Sequence, residues 1–245
     1  MIWDWEPSVV AGCAALAIGY IVLVRKRGLN RAPYFLVGVG LLLLDLVSPL
    51  DALADRYLFS AHIVQHFLLA LVIPPLLLLG TPRWLAEVAV QRAVLDRLER
   101  TLGQPPVSWL LGVGAMLAWH IPALFNAALA NDALHIVQHL SFLVTGTLFW
   151  WPILGPLEER HLPILPAVTY LFSACLCCSL LGAFLTFGPV GLYPAYLNPP
   201  EQVWGLDPKH DQQLGGMLMW VPGCFVYLSA ILSAVMRWYG EERTA

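Results

Sequence analysis

The feature that most constrains this chain is its succession of long apolar runs. Bounded by charge or by Pro and Gly, they fall near 8–24, 33–50, 60–80, 105–125, 133–151, 163–187 and 211–238. Each is close to the ~20 residues that a helix needs to cross the hydrocarbon of a bilayer. Backbone polar groups find no water there, so each segment has to satisfy them internally, as a helix does. Seven such runs predict an all-α polytopic transmembrane bundle of about seven helices, forming a single domain over 1–245. Composition supports this. Hydrophobic residues make up 59% of the chain and charged residues 12%, against about a quarter charged in soluble domains, and the mean hydropathy is +0.71. The lipid bilayer is therefore the first expected partner. A net charge of -3, with the basic residues scattered over several loops, excludes nucleic acid.

Loop charge orients the bundle. One set of loops holds Arg25, Lys26, Arg27, Arg31, Arg83, Arg92, Arg97, Arg100, Arg160, Arg237 and Arg243, whereas the other holds only Arg56 and Lys209. Lysine and arginine gather on the cytoplasmic side of bacterial membranes. The expected topology therefore has the N-terminus outside, the C-terminus cytoplasmic and an odd number of spans. The opening residues MIWDWEPS lack the basic stretch and small-residue cleavage site of a secretory signal, so the first helix is expected to be retained. Cys13, Cys175, Cys177, Cys178 and Cys224 all lie in apolar runs, which argues against a disulfide framework in the loops.

Two connecting segments carry a pattern of their own. Within 83–102, Trp84, Val88, Leu95 and Leu98 recur at helical spacing among arginines and acids, which suits an amphipathic helix on the inner surface. The segment 188–210, rich in Pro, Gly, Tyr and Trp, is expected to form an aromatic lid over the outer ends of the last two spans. Pro74, Pro75 and Pro122 should kink their helices.

The chemistry concentrates in the histidines. With the topology above, His62, His66, His120, His135, His139 and His210 fall at or near the outer ends of spans, and only His161 lies inside. The pentapeptide HIVQH occurs at 62–66 and again at 135–139, each time just after the chain enters a span from outside. Histidines at i and i+4 share one helix face about 6 Å apart along the axis, a spacing that chelates one metal or flanks two. Gln65 and Gln138 stand where they could orient a ligating ring. A single intramembrane histidine is as well explained by an interhelical hydrogen bond. Six on one side favour a metal or haem site, because ionisable groups are costly in a membrane.

Candidate metal ligands are therefore His62, His66, His120, His135 and His139, with Asp45, Met116, His210, Asp211, Met217 and Met219 as supporting candidates. Asp211 is expected to cap the last helix, and Gly215 and Gly216 to let helices approach closely. Imidazole with thioether suits copper(I) better than zinc or iron. Each methionine taken singly is more ordinary as core filling, and the cysteines near the middle of the sixth span read as small buried hydrophobes. Haem held by His62, His66, His135 and His139, or a di-metal redox centre, is the alternative. Two haems are excluded, since irons one helical turn apart would collide through their macrocycles.

The segments HIVQHFLLALVIPPLLLLGTP, WHIPALFN, HIVQHLSFLVTGTLFWWPIL, LYPAYLNPP and DQQLGGMLMWVPG occur in this order. Together they resemble the bacterial CtaG family of the caa3 oxidase type, which is unrelated to the single-span copper chaperone of the same name. The resemblance implies a multi-helix plasma-membrane protein that acts in cytochrome c oxidase assembly, with oxidase subunits or other assembly factors as partners and copper supply as the usual proposal; the outer histidines are expected to serve a non-enzymatic assembly factor or metallochaperone. The family's recurrent histidines correspond here to His62, His66, His120, His135 and His139, and its DQ-GG-MW helix to Asp211 through Trp220.

Overall fold

A computed structural model describes Trp3 and residues 5–242; Arg243, counted above among the basic loop residues, lies outside them. The chain is helical throughout, with no strand among the described residues. Five helices are each long and apolar enough to cross a membrane: α1 (Pro7–Val24), the run Phe59–Gly80, α10 (Asp132–Leu154), α11 (Ile164–Phe187) and α12 (Pro208–Glu242). Two bent pairs bring the number to seven: α2 (Ala32–Val47) with α3 (Pro49–Arg56), bent by 48°, and α8 (Pro105–Trp119) with α9 (Pro122–Leu129), bent by 74°. Each apolar run of the sequence falls on one of these.

The bends follow from proline chemistry. Phe59–Gly80 is three helical pieces, α4 (Phe59–Phe67), a π-helical turn (Leu68–Val72) and α5 (Ile73–Gly80). Pro74 has no N–H for the Ala70 carbonyl, and Trp150 Nε1 donates to that oxygen instead, at 3.2 Å across the bundle. The π turn absorbs the mismatch, with Ile73 N reaching back to the Leu68 carbonyl. Pro122 likewise cannot continue α8. The chain breaks at His120, and α9 turns across the end of the bundle with Phe125 fully buried. Pro49 starts α3 in the same manner, with the Ser48 hydroxyl as the cap accepting from Leu50 N, and brings Asp51 and Asp55 over the same end.

Packing depends on small residues, as expected where lipid removes the hydrophobic drive between helices. A Cβ on Gly216 would stand 2.6 Å from the Thr186 amide nitrogen, and one on Gly215 would stand 2.6 Å from Phe59. α12 therefore lies directly on α11 and α4. On another seam, a Cβ on Gly146 of α10 would come within 2.7 Å of the Ala70 carbonyl oxygen.

Charge is sorted between the two ends of the bundle. At the arginine end the connector is two helices, α6 (Arg83–Val90) and α7 (Ala93–Leu102), where the sequence suggested one; Arg92 takes an extended conformation between them. Val88, Val94, Leu95 and Leu98 remain exposed, leaving an apolar stripe that suits a helix pair resting on a lipid surface. Arg160 pairs with Glu99 and Asp96, and Arg83 with Glu87 and Glu159. Arg27 stacks on Trp84 at 4.5 Å. The opposite, histidine end is closed by α3, α9 and the segment 188–207, which contains the 3-10 turns Pro194–Tyr196 and Val203–Gly205.

Candidate metal centre

The two HIVQH segments lie on α4 and α10, and α9 carries Phe125 between them and His120. Their rings meet like with like: His62 and His135 have centroids 5.3 Å apart, and His66 and His139 5.9 Å. Within each helix the pairs are closer, at 4.3 Å for His62 with His66 and 4.2 Å for His135 with His139. His120, delivered by the break before Pro122, stands 5.5 Å from His66. Phe125 packs against His62 at 4.8 Å and Phe142 against His66 at 4.3 Å, so aromatic rings wall the inner part of the cluster.

Hydrogen bonds fix which nitrogen of two of these rings is free. His120 Nδ1 lies 2.7 Å from the Met116 carbonyl, which only accepts, so Nδ1 carries the hydrogen and Nε2 the lone pair. Around His62 the logic runs through a tyrosine. The Tyr196 hydroxyl donates to the Ala54 carbonyl at 2.6 Å and so accepts from His62 Nδ1–H at 3.0 Å. Burial, with the Asp55 and Asp211 carboxylates adding to it, holds the Tyr196 phenol well above its ordinary range, so it stays neutral in this role. The Nε2 atoms of His62, His66, His120, His135 and His139 are all buried without a hydrogen-bond partner, as is Nδ1 of His66. Buried polar atoms are nearly always satisfied, and an orphan costs about 1–3 kcal/mol. Bare imidazole nitrogens on neighbouring rings are chemically suited to hold a transition metal.

The donors form two overlapping groups. In one, His62, His66 and His139 keep their ligand atoms within 4.8 Å of one another; in the other, Asp55, His62 and His135 do so. Asp55 Oδ1 stands 3.7 Å from His135 Nδ1. Below His66 and His120 lies a cavity of about 40 Å³ that Met116, Met219 and Cys178 also line. Softer donors thus continue from the imidazoles toward the middle of the bundle.

The remaining sequence candidates stand elsewhere. Asp211 accepts from Phe59 N, Ser60 N and Ser60 Oγ, so it caps α4; the cap of α12 is Asp207, which accepts from His210 N at 2.9 Å. The expectation that Asp211 caps its own helix is thus corrected, because α12 begins at Pro208, one turn earlier. His210 is exposed and holds Asp207 at 2.8 Å, and Met217 is exposed on the far face of α12. Asp45 is buried with both carboxylate oxygens unpartnered, but it belongs to neither donor group. Gln65 donates to the Asp45 carbonyl and to Asp51, not to a histidine. His161 lies at the arginine end, against the Gly155 carbonyl. Cys175 and Cys224 touch at 3.5 Å between α11 and α12.

Sequence reasoning missed Asp55, Tyr193 and Tyr196. Tyr193 donates to the His120 carbonyl at 2.8 Å and stacks on Phe59. With Tyr196 it pins the segment 188–207 onto the histidine cluster, where the sequence predicts an aromatic lid, over 188–210, on the outer ends of the last two spans. Their one signal was the LYPAYLNPP motif of the family resemblance, in which both stand.

Residues 15–241 match the family model described as cytochrome c oxidase caa3 assembly factor (Caa3_CtaG). The chain belongs to this family. Among curated relatives, a member-like stretch of an uncharacterized protein of Mycobacterium leprae is 24% identical over 264 residues, covering 98% of this chain and 40% of that protein. An uncharacterized protein of Mycobacterium bovis is 25% identical over 265 residues, covering 99% and 40% respectively. The Caa3_CtaG chain therefore spans about 40% of the length of the curated relatives it matches. No solved structure matches it.

Proposed function

We propose that this Caa3_CtaG protein binds copper(I) at its histidine end and supplies it to a cytochrome c oxidase during assembly. The observation that carries the reading is a set of five buried imidazole Nε2 atoms with no hydrogen-bond partner, on rings that neighbour one another. His62, His66, His120, His135 and His139 would hold the ion, with Met116 and Met219 as soft donors beside it. Copper would be cargo here, and the protein would perform no bond chemistry on it. Its residues bind, fix the ring tautomers through Tyr196 and Met116, and keep water out with Phe125 and Phe142.

Copper(I) is favoured over haem on space. A porphyrin needs a clear plane between its axial imidazoles, whereas these rings sit 4.2–6.0 Å from one another with aromatic side chains packed on them. The cavity beneath, about 40 Å³, is ion-sized. The loop-charge split supports a place in the bacterial plasma membrane with the histidine end facing outward, toward the side where a periplasmic copper donor or an oxidase copper domain would dock.

The test is genetic and elemental. A strain lacking the protein regains the copper-to-haem ratio of its oxidase when complemented with the wild type, and does not when complemented with His62→Ala/His139→Ala at equal membrane abundance. Full restoration by the double variant would reject copper supply through this site.

A further inference from the structure

We propose that the histidine cluster is a path of two alternating stations for one ion, with Asp55 and His135 at its mouth and His62 as the pivot. The inference rests on the copper(I) reading above and adds a direction to it. The two donor groups share His62. That ring has a single lone pair to give, because its Nδ1–H is held by Tyr196, so both stations cannot be filled at once. An ion bound at Asp55, His62 and His135 exchanges Asp55 and His135 for His66 and His139 while His62 stays coordinated. Ligands are swapped one for another, and no electron or proton is required.

Access and charge set which station is the mouth. The Asp55 side chain is 37% exposed and that of His135 15%, whereas in the inner group His62 is 0% exposed and His66 3%, with His139 half-buried, so that two of its three members are sealed against one of three in the outer group. Asp55 also lines an open cleft of about 670 Å³ between α3 and the segment 201–204, whose charged side chains are Asp51, Asp55, Arg56 and Glu201. Three acids to one base make this vestibule attractive to a cation, and such focusing raises arrival rates. At the other side His66 borders the cavity with Met116 and Met219, so donor softness increases inward, in the order that would draw copper(I) from carboxylate toward imidazole and thioether. Asp55 is a hard ligand of little value for retaining a soft ion. Its place here fits admission and release.

The experiment uses full-length protein in nanodiscs and anaerobic copper(I) presented by a chromophoric chelator. Copper bound by the wild type and absent from His62→Ala should amount to one ion per chain. Asp55→Asn should load and unload about tenfold more slowly while the equilibrium affinity moves by no more than about threefold, since a mouth speeds both directions alike; His135→Ala should slow loading in the same way and, because it also removes one of the binding imidazoles, weaken retention as well. His139→Ala should instead weaken retention by on the order of tenfold or more. Loading at the wild-type rate in both mouth variants, or two ions lost with His62, would overturn the path. A wild type that retains no copper would remove the copper reading itself, and that result is read from the wild-type arm alone.

Discussion

The two ends of this bundle treat their polar groups in opposite ways. At the arginine end they are paired: Arg160 with Glu99 and Asp96, Trp151 Nε1 with Glu99 at 3.0 Å, His161 with the Gly155 carbonyl at 2.7 Å, and Arg237 with the Ile153 carbonyl. At the histidine end five imidazoles, three of them buried and two half-buried, keep their Nε2 atoms bare. Pairing costs little and contributes stability, so a fold that needed these histidines only for packing would have paired them. The contrast sets an end whose polar groups hold one another against an end whose imidazole nitrogens are left unbonded, and it is the ground for the proposed binding role of the histidine end.

Substitutions should separate the two roles. The largest effect is expected from His62→Ala/His139→Ala, which removes two donors of the inner group: copper(I) affinity should fall on the order of a hundredfold or more, with only a modest loss of thermal stability, because the cavity left and the lost His62–Tyr196 bond are offset in part by the orphaned polar atoms that leave the core. Competition with a chelator and a melting curve in the same detergent check both halves. A large drop in melting temperature would put these histidines among the structural groups and dissolve the contrast. The mirror experiment is Glu99→Ala, which strands Trp151 Nε1 and leaves Arg160 with Asp96 alone, and should cost about 1 kcal/mol of stability while copper affinity stays at the wild-type value. A smaller, mixed result is expected of Tyr196→Phe. Without the hydroxyl, His62 loses the acceptor that fixes its tautomer, and affinity should drop about tenfold with a stability loss of about 1 kcal/mol.

The smallest effect is electrostatic and belongs to the arginine end. Asp96 accepts a hydrogen bond from Arg100 and faces Arg160, which together hold its carboxyl below the ordinary carboxylate value. A depressed folded value means that the charged form is favoured by folding. Its contribution is therefore present above the unfolded carboxylate value and is lost as pH falls through the folded one. Wild type and Asp96→Asn should differ slightly in melting temperature at neutral pH and converge in acid, while copper binding of the two stays equal throughout. A gap that widens on acidification would contradict the pairing.

Much of the fold was legible because a membrane imposes a coarse code. Apolar runs located every span, and proline placed the breaks at Pro74 and Pro122. The HIVQH repeat marked the ring pairs, since i and i+4 share a face on any helix. What could not be read was whatever depends on neighbours distant in sequence. Asp55 sits in a short polar link that carries no apolar run, and only the turn at Pro49 brings it to His135, eighty positions later. Depth alone grouped His210, Asp211 and Met217 with the cluster; the facing of α12 turned His210 and Met217 outward and gave Asp211 to the first turn of α4. Tyr196 fixes a tautomer from a loop, a role that spacing does not encode.

The most direct test of the central claim is X-ray absorption of the anaerobic copper(I)-loaded protein in nanodiscs. A ligand shell dominated by imidazole nitrogen at about 2.0 Å in the wild type, lost from His62→Ala/His139→Ala, is the predicted result. Absence of bound copper, or an imidazole shell unchanged in that variant, would contradict it.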